Sequence, residues 1–521
     1  MQIPPINFVR RSRHYFRIVV FALALPGLAF SQTVPTTTAA KASAAAPVTL
    51  HELVLGALQA NLEIQTKRLD TPIQDSRVLA AWGAFDPVLS LSALREQSER
   101  EQNQRDFLST GQVARIFNEA DNRYSLALGG RAPTGLTYEL DVDHAKLDNT
   151  FNRQFTSLFH PEFQSSAVLR VTQPLLRDAG REINLAEVRL SENAKRVSVH
   201  EFRAAVLKIV GQTVAAYYEA VFGQENVRVK QQAIELAQNL VRENTRRVEQ
   251  GGMSPIDVTQ AQARLAEARE ERILAENFLA QRRNTLVELT RGEFDPRAPV
   301  MAFSASDVRL EVPALNRDSL TAEMLGRNPS FLSVIEQARA EDIRIAYAKN
   351  QRWPKVDLKA SLGENGLGGT FDDSFSDFNK RHDPDWSAGI VISIPLTGRT
   401  AAGRLNEARL RKAQSLLSIK RTELVLLSAL DSAVRDIESS QERLVLVKDT
   451  VRLAESALDA EQKRLANGTT TSYNVLNLQK ELSQARSREL ATVVDLNKAI
   501  ATLYLVQGVL AEKMDIVIKA E

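Results

Sequence analysis

The stretch from Arg404 to Asn467 constrains the fold most, because it contains neither glycine nor proline, the residues that most readily break a helix. Apolar residues recur in it at intervals of seven, with two more between them: Leu444, Val451, Leu458 and Leu465, then Val447 and Ala454. This pattern is the a/d seam of a heptad repeat, which winds neighbouring helices around each other. A helix over these residues would be roughly 95 Å long, far longer than an ordinary globular helix.

A second seam lies 217 positions earlier in the chain: Val227, Ile234, Val241 and Val248. Pro354 follows Pro87 by 267 positions, whereas Pro395 follows Pro174 by only 221. The difference (267 − 221 = 46) places extra residues in the strand region of the first copy. We therefore expect an internal two-fold repeat. Its parts are a first structural repeat at 48–292, a linker at 293–319, a second repeat at 320–508 and a C-terminal tail at 509–521.

The N-terminus has the features of a secretory signal peptide. A basic region with four arginines precedes an apolar run at 18–30, and Ala29-Phe30-Ser31 suits cleavage after Ser31. A membrane anchor is disfavoured because the apolar run is short and Pro26 interrupts it. We expect a signal peptide at 1–31 and a flexible, Thr- and Ala-rich leader at 32–47.

Helices and strands alternate in the same order in both copies. Helix is predicted for 48–81, 182–250, 256–291, from 320 to shortly before Pro354, for 404–467, and from the following turn to 507. Strands are predicted for 88–94, 124–130, 136–143 and 167–172 in the first copy and for 356–362 and 385–395 in the second. The polar, irregular segments 95–121, 148–164 and 363–384 are predicted to be loops. In 136–143, Leu, Tyr, Leu and Val alternate with Thr, Glu, Asp and Asp, so one face is apolar and the other polar.

The composition excludes several classes of function. The 521-residue chain has no cysteine, which excludes disulfides, thiolate metal sites and cysteine catalysis. Its six histidines lack metal-ligand spacing, and the glycine-rich segment 398–405 lacks the lysine of a phosphate-binding loop. The net charge of +2 gives no indication of nucleic acid binding. We expect no enzyme activity and no cofactor.

The strands of an exported chain, apolar on one face, indicate an outer membrane barrel. Such a barrel must close, because an open edge in lipid leaves backbone groups unpaired. The second copy supplies two strands and the first supplies two to four, whereas the smallest barrels have about eight. One chain therefore cannot close a barrel alone, and we expect an oligomer whose long helices extend into the periplasm.

The chain resembles the TolC-like outer membrane efflux protein family over nearly all of its length after the signal peptide. The resemblance is carried by the duplication, by the strand-to-helix junctions at Pro174 and Pro395, and by two turn motifs. The motifs are Arg247-Val-Glu-Gln-Gly-Gly-Met-Ser-Pro-Ile-Asp-Val and Arg464-Leu-Ala-Asn-Gly-Thr-Thr-Thr-Ser-Tyr-Asn-Val, 217 positions apart, each between long helices.

The resemblance implies a mainly α protein with transmembrane β structure: a trimeric, 12-stranded outer membrane β-barrel continued by a coiled-coil periplasmic tunnel of 12 helices. It implies a homotrimer in outer membrane lipid, a periplasmic adaptor docked on the tunnel tip, and an inner-membrane pump or ABC transporter that supplies the energy. The function implied is the duct of a tripartite efflux or type I secretion system, which exports small molecules or proteins.

The resemblance also assigns site residues. The turns that face the adaptor contain Gly251, Gly252, Gly468 and Thr469. The family archetype has aspartates at the narrow end of the tunnel, where this chain has Asn474 and Asn477, and Asp257 keeps an acid at the matching place in the first copy. We expect these three residues at the pore constriction.

Two alternatives stay open on the residues alone. A secreted coiled-coil scaffold or adhesin would explain the heptads and the export signal, but not the strands or the matched glycine turns. A periplasmic enzyme is disfavoured for want of a site. The extra strands of the first copy would either widen the barrel or form an external flap.

Overall fold

The structure is a computed structural model that describes residues 48–109, 115–150, 153, 159–293, 301–303, 310–380 and 384–518. The predicted signal peptide and leader lie outside these residues. The described helices are α1 (Leu50–Ala60), α2 (Leu62–Trp82), α3 (Gln104–Ser109), α4 (Arg181–Asn184), α5 (Ala186–Glu249), α6 (Pro255–Arg291), α7 (Arg317–Arg327), α8 (Pro329–Asn350), α9 (Phe371–Lys380), α10 (Arg399–Ala466), α11 (Ser472–Gln507) and α12 (Leu510–Lys513). The described strands are β1 (Val88–Glu101), β2 (Ile116–Arg131), β3 (Thr137–Leu147), β4 (Glu162–Pro174), β5 (Lys355–Gly368) and β6 (Asp385–Ser393).

The six strands form one antiparallel sheet in which spatial order follows chain order. All four strand candidates of the first copy are confirmed, and β4 pairs with β5, so that strands from both copies share the sheet. Within the described sheet, β1 and β6 are the two edges. The sheet is therefore an open one.

Several strands are longer than the alternation predicts, and parts of the predicted loops were wrong. β1 continues to Glu101 and β2 begins at Ile116, although 95–121 was predicted to be a loop. β4 begins at Glu162 and β5 continues to Gly368. The helix α9 lies in the predicted loop 363–384. The end of β1 escapes sequence reasoning because its side chains are polar on both faces, which removes the period of two. β2 begins with two adjacent apolar residues, Ile116 and Phe117, which also lack that period.

The helices before each strand region are also divided where one continuous helix was predicted. Asn61 separates α1 from α2 and caps α2 through its side chain, and Asn328 does the same between α7 and α8. The Asn61 side chain also donates to the Leu289 carbonyl at 3.1 Å, and Asn328 donates to the Val506 carbonyl at 2.9 Å. These two carbonyl positions lie 217 residues apart, which is the offset between the two predicted copies.

The long helices α5 and α10 have 64 and 68 residues, which corresponds to roughly 100 Å each. Each returns through a tight turn into α6 or α11. The heptad seam faces inward, since Val451, Leu458 and Leu465 are buried in an apolar cluster with Leu240 and residues of α6 and α11. A larger apolar cluster lies around the middle of α5 and the C-terminal half of α11. Within the described residues, none of the helices has both the length and the apolar composition needed to traverse a membrane.

Candidate functional site

The sheet has one apolar face. Six successive cross-strand partners, one from each strand, form a row across it: Leu89, Leu128, Leu140, Leu169, Leu362 and Trp386. These side chains are 37% to 74% exposed in the single chain. Leu91, Leu126 and Val142 continue the apolar face one pair further along, and Leu358 and Ile390 extend it towards the helices. Exposed apolar side chains in such number indicate contact with lipid.

The opposite face is polar. It presents Thr137, Glu139 and Asp141 on β3, with Arg170 on β4 and Lys359 on β5, and Arg170 forms an ion pair with Asp141. Many of these side chains line one hollow, of about 560 Å³, on this side of the sheet. The polar face therefore suits the wall of a water-filled lumen.

The two ends of the sheet differ. The short turn between β2 and β3 lies at the end where the long helices begin, whereas the described parts of the longer connections after β1, β3 and β5 lie at the far end. At that far end α9 covers the outer face, where Phe371 contacts His144 at 4.5 Å between ring centroids, and the Ser374 and Ser165 hydroxyls are 3.0 Å apart. Short turns on the periplasmic side, long loops outside and aromatic residues at the interface are typical of outer membrane barrels.

Two helical tips lie at the opposite end of the long helices. We define the first tip as residues 244–257 and the second tip as residues 461–474. Gly251 has φ of +73° and Gly468 has φ of +71°, the left-handed conformation that favours glycine. In the first tip the Gly251 and Gly252 amides donate to Val248 and Arg247 carbonyls; in the second, Gly468 and Thr469 amides donate to Leu465 and Arg464 carbonyls. Both turns are Schellman motifs.

The expected constriction residues make specific contacts within the tips. The Asp257 carboxylate accepts a hydrogen bond from the Ser254 amide at 3.3 Å and completes a capping box at the start of α6. The exposed Asn474 side chain donates to the Thr470 hydroxyl at 3.1 Å, and Asn477 is partly buried one turn further along α11. The Thr470 hydroxyl also donates to Glu461, and this bond is the main cause that holds the pKa of Glu461 below its usual range.

Two residues of the first tip, not expected as site residues, connect it to the second. The buried Asn244 side chain donates to the Ser472 hydroxyl at 2.6 Å and to the Asp257 carbonyl at 3.2 Å. The Arg247 guanidinium donates to the Leu465 carbonyl at 2.8 Å, at the last turn of α10. An asparagine inside a long helix has a low helix propensity, and this was the one signal of Asn244 in the sequence.

A charged network joins the two returning helices at a distance from the tips. Lys480 on α11 forms an ion pair with Glu267 on α6, and the nearly buried Arg264 contacts both Glu267 and Glu271 at 2.9 and 3.1 Å. Lys230 on α5 completes it, 2.9 Å from Glu271. The hydrogen bond from Lys480 is the largest cause that lowers the pKa of Glu267.

The remaining expected residues lie at the junctions between sheet and helices. Pro174 is the last residue of β4, and Pro395 lies two residues after the end of β6, before α10 begins at Arg399. Among the described residues, no group of three or more histidine, aspartate or glutamate side chains is arranged to hold a metal ion.

The chain belongs to the outer membrane efflux protein family, whose sequence profile matches residues 134–291 and 320–509, more than half of the chain. This confirms the predicted family and the predicted location in the outer membrane. Members of the family are channel and transport proteins. The match begins at Thr134, so β1 and β2 precede the matched residues.

Known proteins show the same relationship. The chain is 25% identical over 328 residues to the outer membrane protein TolC of Vibrio cholerae, covering 60% of this chain and 72% of that protein. It is 24% identical over 322 residues to the alkaline protease secretion protein AprF of Pseudomonas aeruginosa, covering 61% of this chain and 64% of AprF, slightly less than two thirds of that relative. The solved structure of the outer-membrane channel OprN has a TM-score of 0.65 at 17% identity, covering 88% of this chain and 89% of OprN, and shows the shared fold.

Proposed function

We propose that the protein is the outer membrane duct of a tripartite efflux or type I secretion system, through which small molecules or proteins leave the periplasm. The observation that carries this proposal is the sheet with an apolar and a polar face, continued directly by helices of 64 and 68 residues. Helices of this length are far longer than those of an ordinary globular domain, whereas a tunnel across the periplasm requires them.

The two open edges of the sheet require pairing with other copies, and the family resemblance implies that there are three chains. In lipid, the unpaired backbone groups of β1 and β6 would each cost several kcal/mol, so these edges must pair with other copies. Three copies would also bring together twelve long and returning helices as the tunnel wall. The twelve-stranded barrel that the resemblance implies uses four strands of each chain and leaves two outside.

The tips are proposed to dock a periplasmic adaptor, with an inner-membrane pump or ABC transporter as the source of energy. Gly251, Gly252, Gly468 and Thr469 are all exposed, and no atom lies within 4 Å of a Cβ built on Gly251 or Gly468. Gly251→Val and Gly468→Val should impair export while the protein still inserts in the membrane. The matched control is Gly403→Val, because Gly403 lies in α10 with equally open space and without positive φ. Normal export by both tip variants would contradict docking at these turns.

The constriction is proposed at Asn474 and Asn477, with Asp257 supplying negative charge. The exposed Asn474 and the three-residue spacing place the two amides on one side of α11. Asparagines repeated by three-fold symmetry can approach one another without the repulsion of carboxylates. Such a gate would bind cations weakly.

The channel itself is tested with full-length protein purified from the outer membrane. Chemical crosslinking in detergent should reach a limit at the trimer, and planar lipid bilayers should show discrete conductance steps. A folded, monodisperse monomer that conducts nothing would instead support a secreted coiled-coil scaffold.

A further inference from the structure

The two copies differ most in their strand regions. Two strands, β5 and β6, connect α8 to α10 in the second copy, whereas four strands connect α2 to α4 in the first. The family match leaves out β1 and β2. If three chains form a barrel of twelve strands, two strands of each chain must lie outside it.

Hydrogen bonding gives no sign of such a division. All 14 residues of β1 pair with β2, from Val88 opposite Gly129 to Glu101 opposite Ile116. β2 pairs with β3 from Arg131 to Asn122, and β3 pairs with β4 over all its residues. The additional hairpin is therefore an integral part of one sheet.

The apolar row crosses the additional strands without interruption. Leu89 on β1 and Leu128 on β2 are in register with Leu140, and through it with Leu169 and Leu362 of the strands that the family shares. In an external flap, Leu89, Leu91, Leu126 and Leu128 would face water, which is unfavourable in proportion to their exposed apolar area. In the barrel wall the same side chains face lipid.

The opposite face of the additional strands suits a lumen. Ser90 and Ser92 on β1 and Ser125 and Ala127 on β2 are small, and the Ser92 and Ser125 hydroxyls are 2.5 Å apart. These side chains continue the polar face formed by β3, β4 and β5. Lipid on one side and water on the other therefore fit all six strands.

The turn between β2 and β3 is held at the end of the sheet where the long helices begin. The Gly180 amide donates to the Thr134 carbonyl at 3.1 Å, and Arg131 bonds the Asn184 side chain. Gly135 has φ of +95°, and a Cβ there would lie 2.6 Å from the Asp178 carbonyl oxygen. This hairpin is packed against the segment that leads into α5.

We propose, building on the outer membrane trimer above, that each chain contributes all six strands and that three chains close an 18-stranded barrel. The β1 edge of one chain pairs with the β6 edge of a second copy of this chain. Because barrel diameter grows roughly linearly with strand number, this lumen is about 1.5 times as wide as a twelve-stranded one. At a tilt of about 40°, 18 strands give a circumference of roughly 110 Å, close to that of twelve helices packed about 9 Å apart. The barrel then adds no constriction above the tunnel, and the helical tips set the size limit of the cargo.

Engineered cysteines test the seam, since the chain has no cysteine of its own. Ser90→Cys or Ser92→Cys on β1 is combined with Ser387→Cys or Gly389→Cys on β6, four pairs that sample the unknown stagger between chains. Within one chain these positions are five strand spacings apart, about 24 Å, whereas a disulfide needs Cα atoms within about 7 Å. Oxidation of outer membranes should therefore give covalent trimers for at least one pair, and none for the single variants.

The twelve-stranded alternative predicts a different seam. If β1 and β2 lie outside, the edge that meets β6 is β3, and Glu139→Cys or Asp143→Cys should cross-link with Ser387→Cys. Covalent trimers from these pairs and none from the β1 pairs would overturn the proposal while leaving the channel function intact. Failure of the purified protein to form any trimer would instead contradict the proposed function.

Electron cryo-microscopy of the purified trimer in lipid nanodiscs decides the case in which neither set cross-links. Eighteen strands in the barrel wall would support the proposal, and twelve would overturn it.

Discussion

The two helical tips have the same backbone conformation but differ in the contacts of their side chains. Both turns contain a glycine with positive φ and the same pair of amide-to-carbonyl bonds. At the matched positions 244 and 461, however, the buried Asn244 bonds across to the second tip, whereas Glu461 bonds Thr470 within its own tip. The backbone geometry of the turn is thus the same in both tips, whereas the side chains at matched positions make different contacts. The side chains that bond across the tips therefore come from the first tip, and the contact ties the two tips together.

The largest expected effect comes from removing the contact across the tips. Asn244→Leu deletes both bonds of a buried side chain and leaves the buried Ser472 hydroxyl without this partner, at about 1–3 kcal/mol. Proteolysis of purified trimers should become about tenfold faster or more within both tips, because cleavage follows local opening. Thr245→Ala, which loses only an exposed bond within α5, is the control. Faster cleavage in the first tip alone would contradict the coupling.

Alanine substitution of the glycine in each turn should have the same effect in both tips, because the two turns have the same backbone conformation. Gly251→Ala and Gly468→Ala each force a Cβ into a left-handed conformation, at about 1–2 kcal/mol, and neither Cβ meets a neighbouring atom within 4 Å. Proteolysis should accelerate several-fold in the substituted tip. Gly252→Ala should change little, because Gly252 lacks positive φ. A much larger effect at one glycine would show a steric contact that differs between the tips.

Exchanging charge tests the proposed placement of both tips at the pore constriction. Asn474→Asp with Asn477→Asp gives the second tip an acid like Asp257 of the first, and rings of acids attract cations. In planar bilayers, a divalent cation is added on the periplasmic side, and the concentration that halves the current should fall roughly two-fold or more. Asp257→Asn should raise it. An unchanged response of the double variant would remove Asn474 and Asn477 from the constriction.

The smallest expected effect is a dependence on acid pH that only the second tip shows. Hydrogen bonding from Thr470 lowers the pKa of the Glu461 carboxyl group. The ionised carboxylate therefore stabilises the folded second tip above the unfolded-state pKa, and this stabilisation is lost as pH falls through the lower folded-state pKa. Hydrogen exchange, corrected for intrinsic rates, should show lower protection in the second tip below about pH 4. Glu461→Gln should remove this dependence. An equal loss of protection in the first tip at acid pH would show that a group other than Glu461 causes the pH dependence.

Features with local causes could be predicted from the sequence. The heptad residues around Val451, Leu458 and Leu465 are buried as expected, since a period of seven specifies which side of a helix meets its neighbour. The strands appear wherever apolar and polar residues alternate, and the glycine turns stand between helices at both predicted places. These signals lie within a few residues of the structure they specify.

Features that depend on distant partners required the tertiary structure. Asn61 and Asn328 divide their helices because each side chain also reaches a carbonyl more than 170 residues away. The last part of β1 and the first part of β2 carry no alternation of apolar and polar residues and are strands because they pair with each other. Asn244 is identified as a site residue only by its hydrogen bond to the Ser472 hydroxyl, 2.6 Å away and 228 positions later in the chain. The sequence by itself thus determined the long helices, the turns and the apolar faces, whereas pairing across the sheet and between the tips was decided by the packing of segments far apart in the chain.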